Sequence, residues 1–559
     1  MRELRDPGRS RTILGVSLTV PSSSRDGPSP RALGVLFLIA LAVRAAFVLL
    51  EPPTHLVADE RVWVAIGRQV ASPEVSFAPL RYTQIFHPPL YAYMVGLLEH
   101  LTGSLEAVKW VQVVLGALLV PLVVRVGSTA WSPRVGLLAG YATALYPELI
   151  WYTAHFWSEV LFLALLWGAI ERLVASERTA TRAPAAAAGL LCGLAALVRE
   201  TALVAAPAAA LWLVLGRRQG GRRAAVFLGA CLLTVLPWTL RNWQATGDLV
   251  PVATRASFNL WLGNTTEPWD DVYREYHGTP GGAVAQSRHA LHEAARAVWE
   301  RQPTWILEKL ARELPAFFGV NDHAVIHVQR GAYDIPRSAR WLVLAAATLP
   351  LLLVVALALP GFLPASRERY GALIVGFACF YLALHVVAFA STRFRLPVLP
   401  VLFLLAARTV DLGVAASWRD LSRTQRVATV VIGAALALSL GANLAQTVRH
   451  PAFQLAPASH DVRPTLDRAV GPGATAGFPP PSGCARMPAT QRLRVERPPG
   501  RGPIWSQCAP GARSTWALRS PSRIPESPTG SALPALSGRR SATRRWSSSA
   551  LTGPRQSPC

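Results

Sequence analysis

Apolar blocks about 20 residues long recur along this chain from Arg31 to Thr447, the length a helix needs to cross a hydrocarbon core about 30 Å thick. The candidate crossings are residues 31–50, 108–127, 134–149, 153–174, 184–199, 201–216, 224–240, 341–361, 370–390, 396–414 and 427–447. The expected fold class is therefore an all-α polytopic membrane protein with about eleven transmembrane helices and one large outer loop. Composition agrees. Hydrophobic residues make up 51% and charged residues 16%, whereas a soluble domain carries roughly a quarter charged residues. A string of soluble domains is excluded because the apolar blocks tile most of residues 31–447.

The net charge of +24 is carried almost entirely by arginine. These arginines lie in short loops between apolar blocks and in the two tails, with no interleaved basic and aromatic face, so no nucleic-acid partner is expected. Loop arginine instead reports topology, since cytoplasmic loops collect positive charge. With eleven crossings, Arg125/Arg134, Arg178/Arg182, Arg217–Arg223, Arg367/Arg369 and Arg419–Arg426 all face one side. Counting Pro88–Leu101 as a further crossing would invert the later loops. That stretch is expected to be a juxtamembrane or re-entrant helix on the outer side.

Residues 1–30 read as a disordered basic N-terminus in the cytoplasm. The first block has no small-residue cleavage site after it, and Glu51-Pro52-Pro53 reads as a helix end. Residues 31–450 form the transmembrane domain, with outer loops 51–107 and 242–340. In the second loop Ala283–Ala316 is expected to be an amphipathic helical stretch, with Leu291, Ala294, Ala295 and Trp299 on one face. Residues 451–559 are a disordered tail rich in Pro, Ser and Arg, too polar to bury a core, and resemble out-of-frame translation. Three cysteines, Cys192, Cys231 and Cys379, fall inside apolar spans, and no pair has metal-ligand spacing.

The residues with unusual chemistry collect at the outer ends. Asp59-Glu60 follows the first helix; Asp59 reads either as a helix cap or as a carboxylate held at the membrane surface for acid–base work. His87 precedes two prolines that set an extended entry into an apolar helix. Glu148 lies in the turn after the third block, and Glu159 lies near the start of the fourth, where a carboxylate is costly. Arg199, Arg241, Arg393 and Arg395 sit at outer ends, against the positive-inside trend. Each reads either as snorkelling to headgroups or as a contact to an anionic ligand. Together they describe a site for a phosphate or pyrophosphate with a carboxylate base nearby. Arg44, inside the first span, receives no role.

The ordered set Ala58-Asp59-Glu60, His87-Pro88-Pro89-Leu90-Tyr91, Tyr146-Pro147 with Ser158-Glu159, Val198-Arg199, Pro237-Trp238 with Arg241-Asn242, and Arg393-Phe394-Arg395-Leu396-Pro397 resembles the GT-C membrane glycosyltransferases. The branch it is most similar to is that of protein mannosyltransferases and lipid A aminoarabinose transferases. The resemblance implies a polyprenyl-phosphate sugar donor and catalytic roles for Asp59 and Glu60. It assigns donor-phosphate contacts to His87, Arg241, Arg393 and Arg395, and an acceptor-side role to Glu159; Arg199 joins the substrate-binding set. It also implies an integral protein of a bacterial inner membrane with its site on the extracytoplasmic face. Membrane lipids and an acceptor (protein, lipid or glycan) complete the expected partners. No cofactor is assigned; a divalent metal stays open, because an Asp-Glu pair alone offers too few ligands. The rival readings are a transporter or flippase for a lipid-linked or anionic solute, which would place its charges near the midplane, and a structural membrane protein, which needs no such constellation.

Overall fold

The computed structural model describes residues 28–51, 56–57, 59–72, 85–216, 219–320, 322–333 and 335–453, together with Thr12–Ile13 and Val16–Ser17, which pair as two short antiparallel strands. The chain divides into Met1–Pro479 and Pro480–Cys559, and every described residue lies in the first unit. Most of the expected basic N-terminus, the Arg217-Arg218 pair and the tail from residue 454 fall outside the described residues.

Among the described residues, everything else with regular structure is helical. The chain opens with α1 (Pro30–Leu50), followed by α2 (Asp59–Ala71) and α3 (Leu90–Thr102). The bundle continues through α4 (Glu106–Ala130), α5 (Pro133–Leu145), the single turn α6 (Pro147–Trp151), α7 (Glu159–Thr179), α8 (Ala183–Ala196), α9 (Thr201–Val214) and α10 (Gly220–Thr246). The second loop contains α11 (Arg255–Asn264), α12 (Trp269–Gly278), α13 (Gly282–Glu300), α14 (Trp305–Phe318) and α15 (His323–Gln329). The chain returns through α16 (Arg337–Ser366), α17 (Arg369–Val387), α18 (Leu399–Leu412), α19 (Val414–Arg419) and α20 (Arg423–Val448).

Each expected crossing coincides with a helix. Six of them (α1, α4, α10, α16, α17 and α20) are long and apolar enough to span a membrane. The helices α5, α8, α9 and α18 have 13 or 14 residues, about 20 Å at 1.5 Å per residue. The expected 153–174 block becomes a helix only at Glu159, because Tyr152–Ala154 is a 3₁₀ turn and His155–Ser158 is irregular. The expected 134–149 block stops at Leu145, since Pro147 disfavours helical backbone at the residue before it.

That early stop explains Arg44. A helix ending inside the bundle leaves carbonyls without partners. The buried Arg44 guanidinium donates from Nη1 to the Ala144 carbonyl at 3.0 Å and from Nη2 to that of Thr143 at 3.1 Å. It is a backbone strut between α1 and the end of α5.

Packing follows the short-residue contacts expected of membrane helices. α4 lies along α1, α5 and α7; α8 lies along α7 and α10; α16 lies along α18. In the segment between α1 and α4, α2 and α3 approach at Gly67 and Gly96, where a Cβ on Gly96 would fall 2.0 Å from the Gly67 carbonyl oxygen. α3 has 13 residues and packs on α2. The second loop corrects one expectation. α13 buries Ala290 and Ala294 against α11, while Leu291 is 47% and Trp299 82% exposed. Small side chains permit the close helix approach, and the large ones stay outside.

Candidate active site

Backbone pairing builds the site's floor. Pro88 and Pro89 have no N–H to donate, and the first free amide of α3, Leu90, is accepted by the Leu197 carbonyl at 3.0 Å. This seats the His87 loop against the Arg199 turn. The amides of Thr254 and Arg255 then bond the carbonyls of Ile85 and Phe86 at 2.9 and 3.1 Å. A residue from the start of the long segment between α10 and α16, Arg255, is thereby placed beside His87.

Two arginines meet one carboxylate there, and a third is paired with Glu159. Arg393 Nη1 bonds Asp59 Oδ2 at 2.5 Å, and Arg255 Nη2 lies 3.7 Å from the same oxygen. Arg255 also bonds His87 Nε2, and Arg199 is ion-paired with Glu159. Aromatic rings back the guanidiniums: Arg393 sits 5.2 Å from the Trp157 ring centroid and Arg199 5.5 Å from that of Phe394. Burial alone would raise Asp59, but the Arg393 and Arg255 charges outweigh it and hold the carboxyl well below the usual range. Burial pushes Glu200 up to about 8, so it is mostly protonated at neutral pH. Three guanidiniums then face two carboxylates, and the cluster keeps a positive excess.

The unpaired polar atoms point the same way. Burial and then the Arg255 charge drive His87 well below its ordinary value, so its ring is neutral. A guanidinium only donates, so His87 Nε2 accepts from Arg255 and the proton sits on Nδ1. That buried Nδ1, Arg393 Nε, Trp157 Nε1 and Glu159 Oε2 have no protein partner. Three donors at a positive cluster suit an anion with several acceptor oxygens.

The other expected residues stand apart. Glu60 turns away from Asp59, because neighbouring helix positions do not face each other. It accepts the Val57 amide at 2.9 Å and the Phe156 amide at 3.1 Å, and lies 3.4 Å from His327 Nε2. Arg395 is fully buried, bonded through Nη2 and Nε to Glu148 at 2.9 and 3.1 Å and to the Gly319 carbonyl. Arg241 lies at the end of α10, against Asn242 Oδ1 at 3.0 Å and the Trp238 ring.

Sequence reasoning missed Arg255, His155 and His327. Nothing in local spacing marks Arg255, whose position depends on pairing with Ile85 and Phe86. His323 and His327 carry a signal, since an i, i+4 histidine pair shares a helix face.

A search of protein-family patterns matches residues 86–240 to the family described as dolichyl-phosphate-mannose-protein mannosyltransferase. The match spans His87, Glu159 and Arg199; Asp59, Arg255 and Arg393 lie outside it. No curated protein sequence matches the chain. Among solved structures, the chain is similar to the Archaeoglobus fulgidus oligosaccharyltransferase in its apo form, at 13% identity and TM-score 0.42, covering 77% of this chain and 56% of that one. It is similar to AglB of the same organism, in complex with an inhibitory peptide and a dolichol-phosphate, at 13% identity and TM-score 0.41, covering 79% and 58%. It is also similar to ArnT from Cupriavidus metallidurans bound to undecaprenyl phosphate, at 14% identity and TM-score 0.42, covering 76% and 75%. The chain thus spans little more than half the length of the archaeal oligosaccharyltransferases. The resemblance read from the motifs is borne out over residues 86–240 of this integral membrane protein, which carry the pattern of the dolichyl-phosphate-mannose-protein mannosyltransferases.

Proposed function

We propose that the protein is a membrane glycosyltransferase that moves a sugar from a polyprenyl-phosphate donor to an acceptor at the extracytoplasmic face of a bacterial inner membrane. The observation that carries this reading is Asp59 held between Arg393 and Arg255, with the His87 Nδ1–H beside them. The matched family's name supplies the donor class.

In this reading Arg393, Arg255 and His87 bind the donor phosphate. The acceptor hydroxyl or amine attacks the anomeric carbon, the carbon–oxygen bond to phosphate breaks, and the proton passes to Asp59. The arginines stabilise the charge that grows on the leaving phosphate. Without donor, Asp59 is so strongly stabilised by its arginines that it is a poor base. An anionic donor competes for the same guanidiniums and returns basicity to Asp59. The Arg199–Glu159 pair stands at the acceptor side. Arg395 serves as a buried strut rather than a phosphate contact, and Glu60 as a positioning group.

An apolar cavity of about 170 Å³ supports a lipid-linked donor. Leu166, Ile170, Ala202, Trp212, Leu373 and Phe377 are among its lining residues. Ala202, one lining residue, is three residues beyond Arg199 in the chain, which puts one end of the cavity near the turn that carries Arg199.

Two measurements test the reading. Purified protein incubated with a panel of polyprenyl-phosphate sugars is expected to release polyprenyl phosphate and glycosylate an acceptor; inactivity across the panel, with folded protein, removes the donor assignment. For the outer-face orientation, a cysteine placed at the exposed Gly281 is expected to react with a membrane-impermeant maleimide in intact cells. Reaction only after permeabilisation would reverse the topology.

A further inference from the structure

A second cluster lies behind Asp59, on the opposite face of the start of α2. Glu60, His155 and His327 are all buried, and one ligand atom from each lies within 4.8 Å of the others. They come from three separate segments: the first outer loop, the turn between α6 and α7, and α15. Glu51, at the end of α1, adjoins them through Oε1, 3.2 Å from His155 Nε2.

The ring tautomers are set by backbone. His155 Nδ1 faces the Trp151 carbonyl at 3.0 Å, and His327 Nδ1 faces the His323 carbonyl at 2.7 Å. A carbonyl only accepts, so both Nδ1 atoms carry hydrogen. In neutral rings both Nε2 lone pairs then point inward. His327 Nε2 meets Glu60 Oε2 at 3.4 Å, and His155 Nε2 meets Glu51 Oε1 and the Tyr333 hydroxyl at 3.2 and 3.3 Å. Tyr333 has one proton, which goes to Glu51 at 3.0 Å or to His155. Acceptors outnumber donors at the centre of the cluster.

We propose that Glu60, His155 and His327 bind a divalent cation of the zinc class, with Glu51 as the adjacent fourth ligand. Two imidazoles and carboxylates suit Zn²⁺, and a histidine ligand characteristically donates its other nitrogen to a carbonyl. Bonds of about 2.0–2.1 Å would draw the ligand atoms to about 3.4 Å apart, the separation that His327 Nε2 and Glu60 Oε2 already have, and a closure of at most about 1.4 Å for the others. The ion would tie the three segments together at the residue next to Asp59. It would thereby fix where α2 begins and hold Asp59 toward Arg393. Gln112 already braces one of these segments, donating from Nε2 to the His155 carbonyl at 2.8 Å.

The inference stands apart from the transfer reading, because its readouts are metal content and stability. Protein purified without a polyhistidine tag, stripped by chelator and returned to Zn²⁺, is expected to keep about one zinc per chain through desalting. Its Tm is expected to rise with zinc concentration. His327→Ala and Glu60→Gln should each lose the retained zinc, whereas His292→Ala, at an exposed histidine of the second loop, should keep it. The titration of the unmodified protein decides the matter if either variant fails to fold. No stoichiometric retention and no Tm response there overturns the proposal and leaves a proton shared by His327 and Glu60. Zinc kept at the unmodified level by a folded His327→Ala variant overturns it too.

Discussion

Asp59→Asn is expected to lower sugar transfer by about 10²–10⁴-fold, the range for loss of a general base, with the protein still folded and inserted. Asparagine keeps the size and one oxygen for Arg393, but it takes up no proton. The fold should survive because the pair is not deeply enclosed: the Asp59 side chain is 25% exposed and that of Arg393 13%. Removing a negative charge from between Arg393 and Arg255 also makes the pocket more attractive to an anion. Donor affinity should therefore hold or tighten while turnover falls, a split that a simple loss of structure does not produce. Steady-state kinetics with a polyprenyl-phosphate sugar, beside a donor-binding measurement, separate the two. Parent-level turnover in Asp59→Asn would leave Asp59 as an ion-pair partner and take the base from the mechanism.

Arg393→Ala should do the reverse and weaken donor binding first, by about 10–10²-fold, as a charge-assisted hydrogen bond worth roughly 1.5–3 kcal/mol implies. The guanidinium offers a buried Nε with no protein partner besides the Nη1 that holds Asp59. Arg393→Lys keeps the charge but not the planar fork, and should fall between. Arg255→Ala should resemble Arg393→Ala, because both guanidiniums face the same carboxylate oxygen. Arg395→Ala, two residues away, should behave differently. It strands Glu148 as a buried carboxylate without its cation, a loss of about 3–5 kcal/mol, so it should reduce folded protein rather than donor affinity. Unchanged affinity in well-folded Arg393→Ala would show that Arg393 serves Asp59 alone.

Much of the fold was legible because its driving patterns are local. A block of about 20 apolar residues needs no knowledge of its neighbours to be read as a helix, and each of the eleven blocks coincides with one. Boundaries were less legible. The stop at Leu145 depends on Pro147, and the late start at Glu159 depends on a loop held by Gln112. Arg44 looked like a misplaced charge until the broken end of α5 supplied carbonyls for it.

The candidate site divides along the same line. The sequence by itself determined which residues were costly where they stood: Glu159, Arg199 and Arg393 carry charges at the ends of apolar blocks, and Asp59 and His87 lie in the segment that joins two such blocks. It could not determine which of them meet. Arg393 and Asp59 are separated by 334 positions and Arg255 and His87 by 168, and no local rule relates such pairs. The tertiary structure chose Arg393 over Arg395 because alternate positions in the Thr392–Val398 turn face different elements, one toward Asp59 and the other toward Glu148. It likewise sent Asp59 to the arginines and Glu60 to the histidines. One helical step rotates a side chain by about 100°, and only the packing of α2 decides what lies on each side.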